Sequence, residues 1–176
     1  MRTPTVLPAA HRRRLFPAEV GLLCAGLVFL ALALWGPVLH ASPHQHAFAD
    51  QRTLWGIPCA LDVLSNLPFA LAGAWGLVLL GRVRSGVLDG ATRATARLFC
   101  MGLVLTAAGS SWYHWQPDDA GLLWDRLGMT VAFAGMLGLA AAQRVSACAG
   151  GTTALVVLAA GPLAVLWWAH TGNLLP

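Results

Sequence analysis

The chain has 176 residues, of which 57% are apolar and only 10% are charged, and its mean hydropathy is +0.66. Soluble domains carry about 25% charged residues, so this composition excludes a chain solvated by water over most of its surface. The net charge of +4 comes from eleven arginines, with no lysine, against seven acids. The arginines fall in short stretches between apolar runs, which is a membrane-orientation pattern and not a nucleic-acid surface.

Crossing a hydrocarbon core takes about 20 apolar helical residues, and five runs meet that length. The expected fold class is all-α: a polytopic membrane helix bundle with one transmembrane domain over 19–176, behind a short cytoplasmic tail over 1–18. The first span covers 19–39 and follows Arg2, Arg12, Arg13 and Arg14. A cleaved signal peptide ending near Ala41 and Ser42 is the competing reading. The length of the apolar run and Leu39 at the −3 position argue against it. The loop over 40–56 holds His44 and His46 as an HxH pair and a single arginine, Arg52.

The second span, 57–81, carries Asp62 and Asn66, which at i and i+4 share one helix face. Arg82, Arg84, Arg93 and Arg97 separate it from the third span, 97–115, whose end holds Ser110 and His114 among Trp112, Tyr113 and Trp115. The link Gln116-Pro117-Asp118-Asp119 is so short that the third and fourth spans must be antiparallel neighbours. Asp118 or Asp119 suits the N-cap of the fourth span. That span, 120–143, carries Asp125 and Arg126 early and is followed by Arg144; the fifth, 152–170, ends at His170. Nine of the eleven arginines fall on one side. The positive-inside rule therefore puts the N-terminus in the cytoplasm and the loops at 40–56 and 116–119 outside, at the periplasmic face of the inner membrane in a bacterial cell. The four cysteines, Cys24, Cys59, Cys100 and Cys148, form no CxxC pair and sit at different depths, so they read as packing residues and not as a disulfide framework.

Ionisable residues inside a span are costly and therefore informative. Asp62, His114, Asp125 and His170 all fall toward the outward half of their spans, so several helices deliver polar groups to a similar depth. Each has an ordinary reading as well. Asp62 with Asn66 suits a helix–helix hydrogen bond, His114 an interfacial aromatic belt, Asp125 with Arg126 a local ion pair, and the HxH pair a solvated loop. The convergence of Ser110, His114 and Asp125 carries more weight than any of them singly.

The segment GSSWYHWQPDDAGLLWDRLGMT, from Gly109 to Thr130, resembles the signature of the alkaline ceramidase family. That signature has a serine, a histidine four residues later, and an aspartate eleven residues after the histidine in a WDR-like context; here these are Ser110, His114 and Asp125. ALDVLSNLPFALAG (Ala60 to Gly73) and FADQRTLWGIP (Phe48 to Pro58) are similar to the helix and lead-in segment that precede it in bacterial members. The resemblance covers roughly residues 44 to 176. It implies a larger seven-helix-type scaffold and a zinc-dependent amide hydrolase that cleaves ceramide-like lipids to a sphingoid base and a fatty acid. In that scheme His114 is a zinc ligand, Ser110 supports the site or the oxyanion, and Asp125 orients the attacking water or shuttles its proton.

The departures also carry expectations. The family completes its zinc site with an HxxxH on a last helix, and this sequence has none there: its one HxxxH, His40 to His44, lies in the loop after the first span. Its ending, HTGNLLP, reads as a truncation, with the remaining ligands expected beyond it; failing that, His170 with His44 or His46 must substitute. Cys59 stands where a glutamate of the animal members' calcium cluster is expected, so no calcium site of that kind is anticipated. The alternative function is a receptor-like or lipid-binding membrane protein of the same superfamily, without catalysis, or an inactive fragment lacking the last zinc ligands. A proton or ion pathway through Asp62, Asp125 and His114 is the third, disfavoured because the polar groups cluster toward one side. The expected partners are the bilayer and the lipid substrate, with no nucleic acid and no protein partner implied.

Overall fold

The computed structural model describes residues 15–175, and every described element of length is a helix. Six helices follow one another: α1 (Pro17–Trp35), α2 (Ala60–Leu64), α3 (Leu67–Arg82), α4 (Gly90–Trp115), α5 (Asp119–Arg144) and α6 (Ala147–Thr171). With α2 and α3 taken together over Ala60–Arg82, these make five helical stretches long and apolar enough to cross a membrane. The expected all-helical membrane bundle is therefore observed. Large apolar side chains such as Phe29, Leu71, Trp75, Leu155 and Leu163 lie exposed along these helices. In water such surface would drive association; in a bilayer it meets lipid. Arg2, Arg12, Arg13, Arg14 and most of the expected tail over 1–18 lie outside the described residues.

The helix boundaries depart from hydropathy for local chemical reasons. The first helix stops at Trp35, not Leu39, because Gly36 is followed by Pro37, which cannot continue the ladder. The second span is broken into α2 and α3 at Ser65 and Asn66, since Pro68 has no N–H to close the turn. Beside this break the Asn66 side-chain amide donates to the carbonyls of Asp62 (3.1 Å) and Val63 (3.5 Å). Asn66 thus bonds its own helix, and the interhelical hydrogen bond read from the Asp62–Asn66 spacing is not formed.

The third span begins at Gly90, two turns before Arg97, because Asp89 caps it by accepting from Thr92 N at 3.0 Å. Arg93, which hydropathy leaves outside the span, is helical here. Arg93 reaches back to cap α3, donating to the carbonyls of Leu80, Val83 and Arg84. Asp118 is the N-cap of α5, accepting from Gly121 N at 2.6 Å, and Ser146 is the N-cap of α6. The fifth span accordingly starts at Ala147 and not at Thr152.

α4 is the central helix and touches α2, α3, α5 and α6, while α5 packs on α4 and α6. The α4–α5 contact is set by glycine. A Cβ added at Gly102 would strike the backbone of Ala132, and one at Gly135 the backbone of Phe99. At Gly109 it would meet the Trp124 carbonyl at 2.5 Å, and at Gly128 the backbone of Leu105 at 2.8 Å. Gly102 and Gly109 on one helix, and Gly128 and Gly135 on the other, each repeat after seven residues. That spacing keeps one seam facing its partner along two helices in left-handed contact, and the small residues let the backbones close up.

α1 stands apart. Every residue over 20–32 is exposed, and the helix meets the others only near its ends. At one end Glu19 accepts from Ser146 Oγ at 2.6 Å and from Phe16 N at 3.0 Å. At the other, Leu39 N donates to Asn173 Oδ1 at 3.0 Å, Leu174 N donates to the Leu39 carbonyl at 2.7 Å, and Gly36 abuts Leu175.

Candidate functional site

Ser110 and His114 lie on one face of α4, and Asp125 faces them from α5. The 1.5 Å rise per residue puts Ser110 and Asp125 both roughly 7–9 Å below the ends of their helices. Gly109 is what permits the approach: its missing side chain leaves room for the backbone of Trp124 and Asp125 at the level of Ser110. The Asp125 carboxylate faces the Ser110 hydroxyl and lies within electrostatic range of both His114 and Arg126. The three residues singled out by spacing are thus brought together.

His114 is held by rings. The Phe48 ring centroid is 4.4 Å from that of His114, and the Tyr113 centroid is 5.3 Å away. Its Nδ1 is buried and makes no hydrogen bond. The other buried side-chain atom without a partner among the described residues is Thr106 Oγ1, eight residues earlier on the same face. Thr106, Ser110 and His114 therefore form a polar stripe at i, i+4 and i+8 on α4. Buried polar atoms are nearly always bonded, and the two orphans stand about 12 Å apart along the helix axis, so they are two separate unmet groups. Thr106 escaped the sequence reading, although its helical spacing from Ser110 was there to be seen.

The loop over 36–59 folds back over this end of the bundle. His46 is bracketed, its Nδ1 3.0 Å from the Tyr113 hydroxyl and its Nε2 3.2 Å from Asp119 Oδ1. Tyr113 donates to the Gln45 carbonyl at 3.2 Å, and Gln45 Nε2 donates to Asp119 Oδ1 at 3.0 Å. His46 is therefore a structural clasp, not a solvated loop residue, and this clasp sets Phe48 against His114. A second fastening precedes α2, where the buried Asp50 carboxylate accepts from Arg52 Nε at 2.6 Å and from Leu61 N at 2.8 Å. The Arg52 guanidinium, with the Leu61 amide, holds the Asp50 carboxyl below the usual carboxylate range. Ser111, also missed, ties α4 to α2 by donating to the Val63 carbonyl at 3.4 Å.

The remaining expectations fare differently. Asp125 and Arg126 do not form an ion pair, because adjacent helical residues diverge by about 100°; the Arg126 guanidinium sits over the Trp168 ring, 3.8 Å from its centroid. His170 ends α6 exposed, and His44 is exposed in the loop. Neither joins His114, and among the described residues no three His, Cys, Asp or Glu side chains gather as a metal-holding group. The substitute set of His170 with His44 or His46 is not assembled. All four cysteines are free.

Comparison with known proteins brings no match: no family model, no curated protein and no solved structure matches the chain.

Proposed function

We propose that Ser110, His114 and Asp125 belong to the site of a membrane-embedded, zinc-dependent amide hydrolase that cleaves ceramide-like lipids to a sphingoid base and a fatty acid. The observation that supports this is the orphaned, buried Nδ1 of His114 beside the Ser110–Asp125 pair. A catalytic zinc takes three protein ligands and a water, so the donors present here are a partial set. His114 suits one ligand position, and Asp125 stands beside it. When bound, zinc supplies a polarised amide carbonyl and a bound water acidic enough to attack it. The chain's own residues do the rest. Asp125 accepts and returns a proton at its carboxylate, Ser110 holds that carboxylate in place, and Phe48 keeps bulk water away from the imidazole.

Depth also favours a lipid substrate. The site lies a few residues below the helix ends, near the level at which a two-chain lipid carries its polar linkage. Read with the positive-inside rule, the end bearing Arg82, Arg84, Arg93 and Arg144 is cytoplasmic and the site faces outward, periplasmic in a bacterial inner membrane. The test joins zinc content to turnover in detergent-purified protein. Zinc bound in wild type but lost in His114→Ala, with fatty acid released from a ceramide analogue and lost in Ser110→Ala and Asp125→Ala, is the expected result. Zinc without turnover would move the reading to a receptor-like, lipid-binding protein. Proton flux in liposomes that depends on Asp125, with no zinc, would replace both.

A further inference from the structure

Arg126 is next to Asp125 in sequence but serves a different face. Its guanidinium covers the Trp168 indole and has no hydrogen-bonded or ion-paired acceptor among the described residues. Five N–H donors are thus left without a hydrogen-bonded protein partner, within a span where such a charge is unfavourable; the Asp125 and Asp119 carboxylates act on it only at longer range. Beneath it a groove of about 300 Å³ runs between α5 and α6. Met129 and Phe133 line one wall, and Ala164 and Val165 line the other. α5 runs away from the site end and α6 runs toward it. Met129 and Phe133 therefore lie one and two turns deeper than Arg126, and Val165 one turn deeper than Trp168. The groove descends into the bilayer from a cation at its head.

We propose that this groove holds one acyl chain of an anionic phospholipid in the leaflet at the site end, with the lipid phosphate on Arg126. The planar guanidinium fork matches phosphate in a bidentate way. Stacking on Trp168 fixes its plane and leaves the N–H edges for the anion. Arg126 lies about 10 Å below the start of α5, so its long side chain reaches back to the level where phosphates sit. A headgroup cation gains nothing beside a guanidinium, which favours a net-anionic lipid over a zwitterionic one. This site is separate from the Ser110–His114–Asp125 group and stands whether or not that group hydrolyses anything.

Native mass spectrometry of the detergent-purified chain tests it, with phosphatidylglycerol, diacylglycerol of the same chains and oleic acid as probes. The expected result is retention of phosphatidylglycerol and little of the other two. Arg126→Gln weakens phosphatidylglycerol binding by about tenfold, as loss of a charge-assisted pair implies. Arg144→Gln, at the opposite end, leaves it unchanged. Ala164→Phe, which narrows the groove without touching charge, weakens it too, so the proposal remains testable if Arg126→Gln fails to fold. Equal phosphatidylglycerol binding by wild type and Ala164→Phe or Arg126→Gln overturns the proposal, as does diacylglycerol binding as well as phosphatidylglycerol. Retention of oleic acid alone overturns the phospholipid and makes the groove a fatty-acid site.

Discussion

Asn66 shows how a single amide can hold a broken span together. Pro68 removes a backbone donor, and just before it the Asn66 side chain ties the break to the carbonyls of Asp62 and Val63. Replacing it by alanine removes these two bonds, at a cost of about 0.5–1.5 kcal/mol each, while Ser65 Oγ still donates to the Asp62 carbonyl and Ser111 Oγ to that of Val63. Asn66→Ala should therefore unfold at lower denaturant in mixed micelles, and Asn66→Asp, which has no N–H to donate, should do no better. Asp50 gives the pH prediction. Its carboxyl is held below its ordinary value, so its contribution is fully present above the unfolded carboxylate pKa of about 4 and is lost as pH falls through the lower folded value. Protease protection of the loop over 40–56 should stay level from neutral pH down to about 5 and fall below about 4. In Asp50→Asn it should already be weak at neutral pH and show no such fall. At this scale the sequence was legible where helical spacing does the work: Ser110, His114 and Asp125 are placed by turns of helix across one short link. It was illegible where a loop must fold back. Nothing in the spacing of Gln45, His46, Tyr113 and Asp119 announces that they meet.

Helix seams carry the next level of organisation. α4 and α5 touch backbone to backbone at Gly102, Gly109, Gly128 and Gly135. A side chain there must push the helices apart, and overpacking of this kind costs about 1–3 kcal/mol. Gly128→Val should lower the thermal midpoint markedly, whereas Gly26→Val should leave it nearly unchanged, since nothing lies within 4 Å of Gly26. Gly109→Val carries an added consequence, because it separates Ser110 from Asp125 and should abolish any activity that depends on the pair. Hydropathy found every span yet misplaced their ends, because it scores the solvent a residue prefers and not the helix it belongs to. Arg93 is helical, and polar, and caps its neighbour. The break at Ser65 was in plain view as Pro68, but a proline early in an apolar run reads equally well as the start of a helix.

Across the whole molecule the bundle is uneven. α3 to α6 share buried seams, while α1 is fastened by Glu19 to Ser146 at one end and by Leu39 to Asn173 and Leu174 at the other. Removing one fastening should free α1 without melting the rest. In Glu19→Ala, which has no side-chain acceptor, cysteine-accessibility labelling near the start of α1 should rise, while the unfolding midpoint of the remaining helices stays within experimental scatter. The class of the fold was the most legible thing in the chain, since apolar length alone dictates it. The neighbour of α1 was not, because that pairing rests on a few polar atoms at the margins.

A helix joined to its neighbours only at its two ends works as a ruler. What matters in its middle is how far it reaches, and the shape of each side chain is of little account. Any apolar residue should serve between Val20 and Leu32, even a plain run of leucines, so this stretch is free to drift in composition. Its length is not free: one turn deleted shortens it by about 5 Å, too much for both fastenings to close at once.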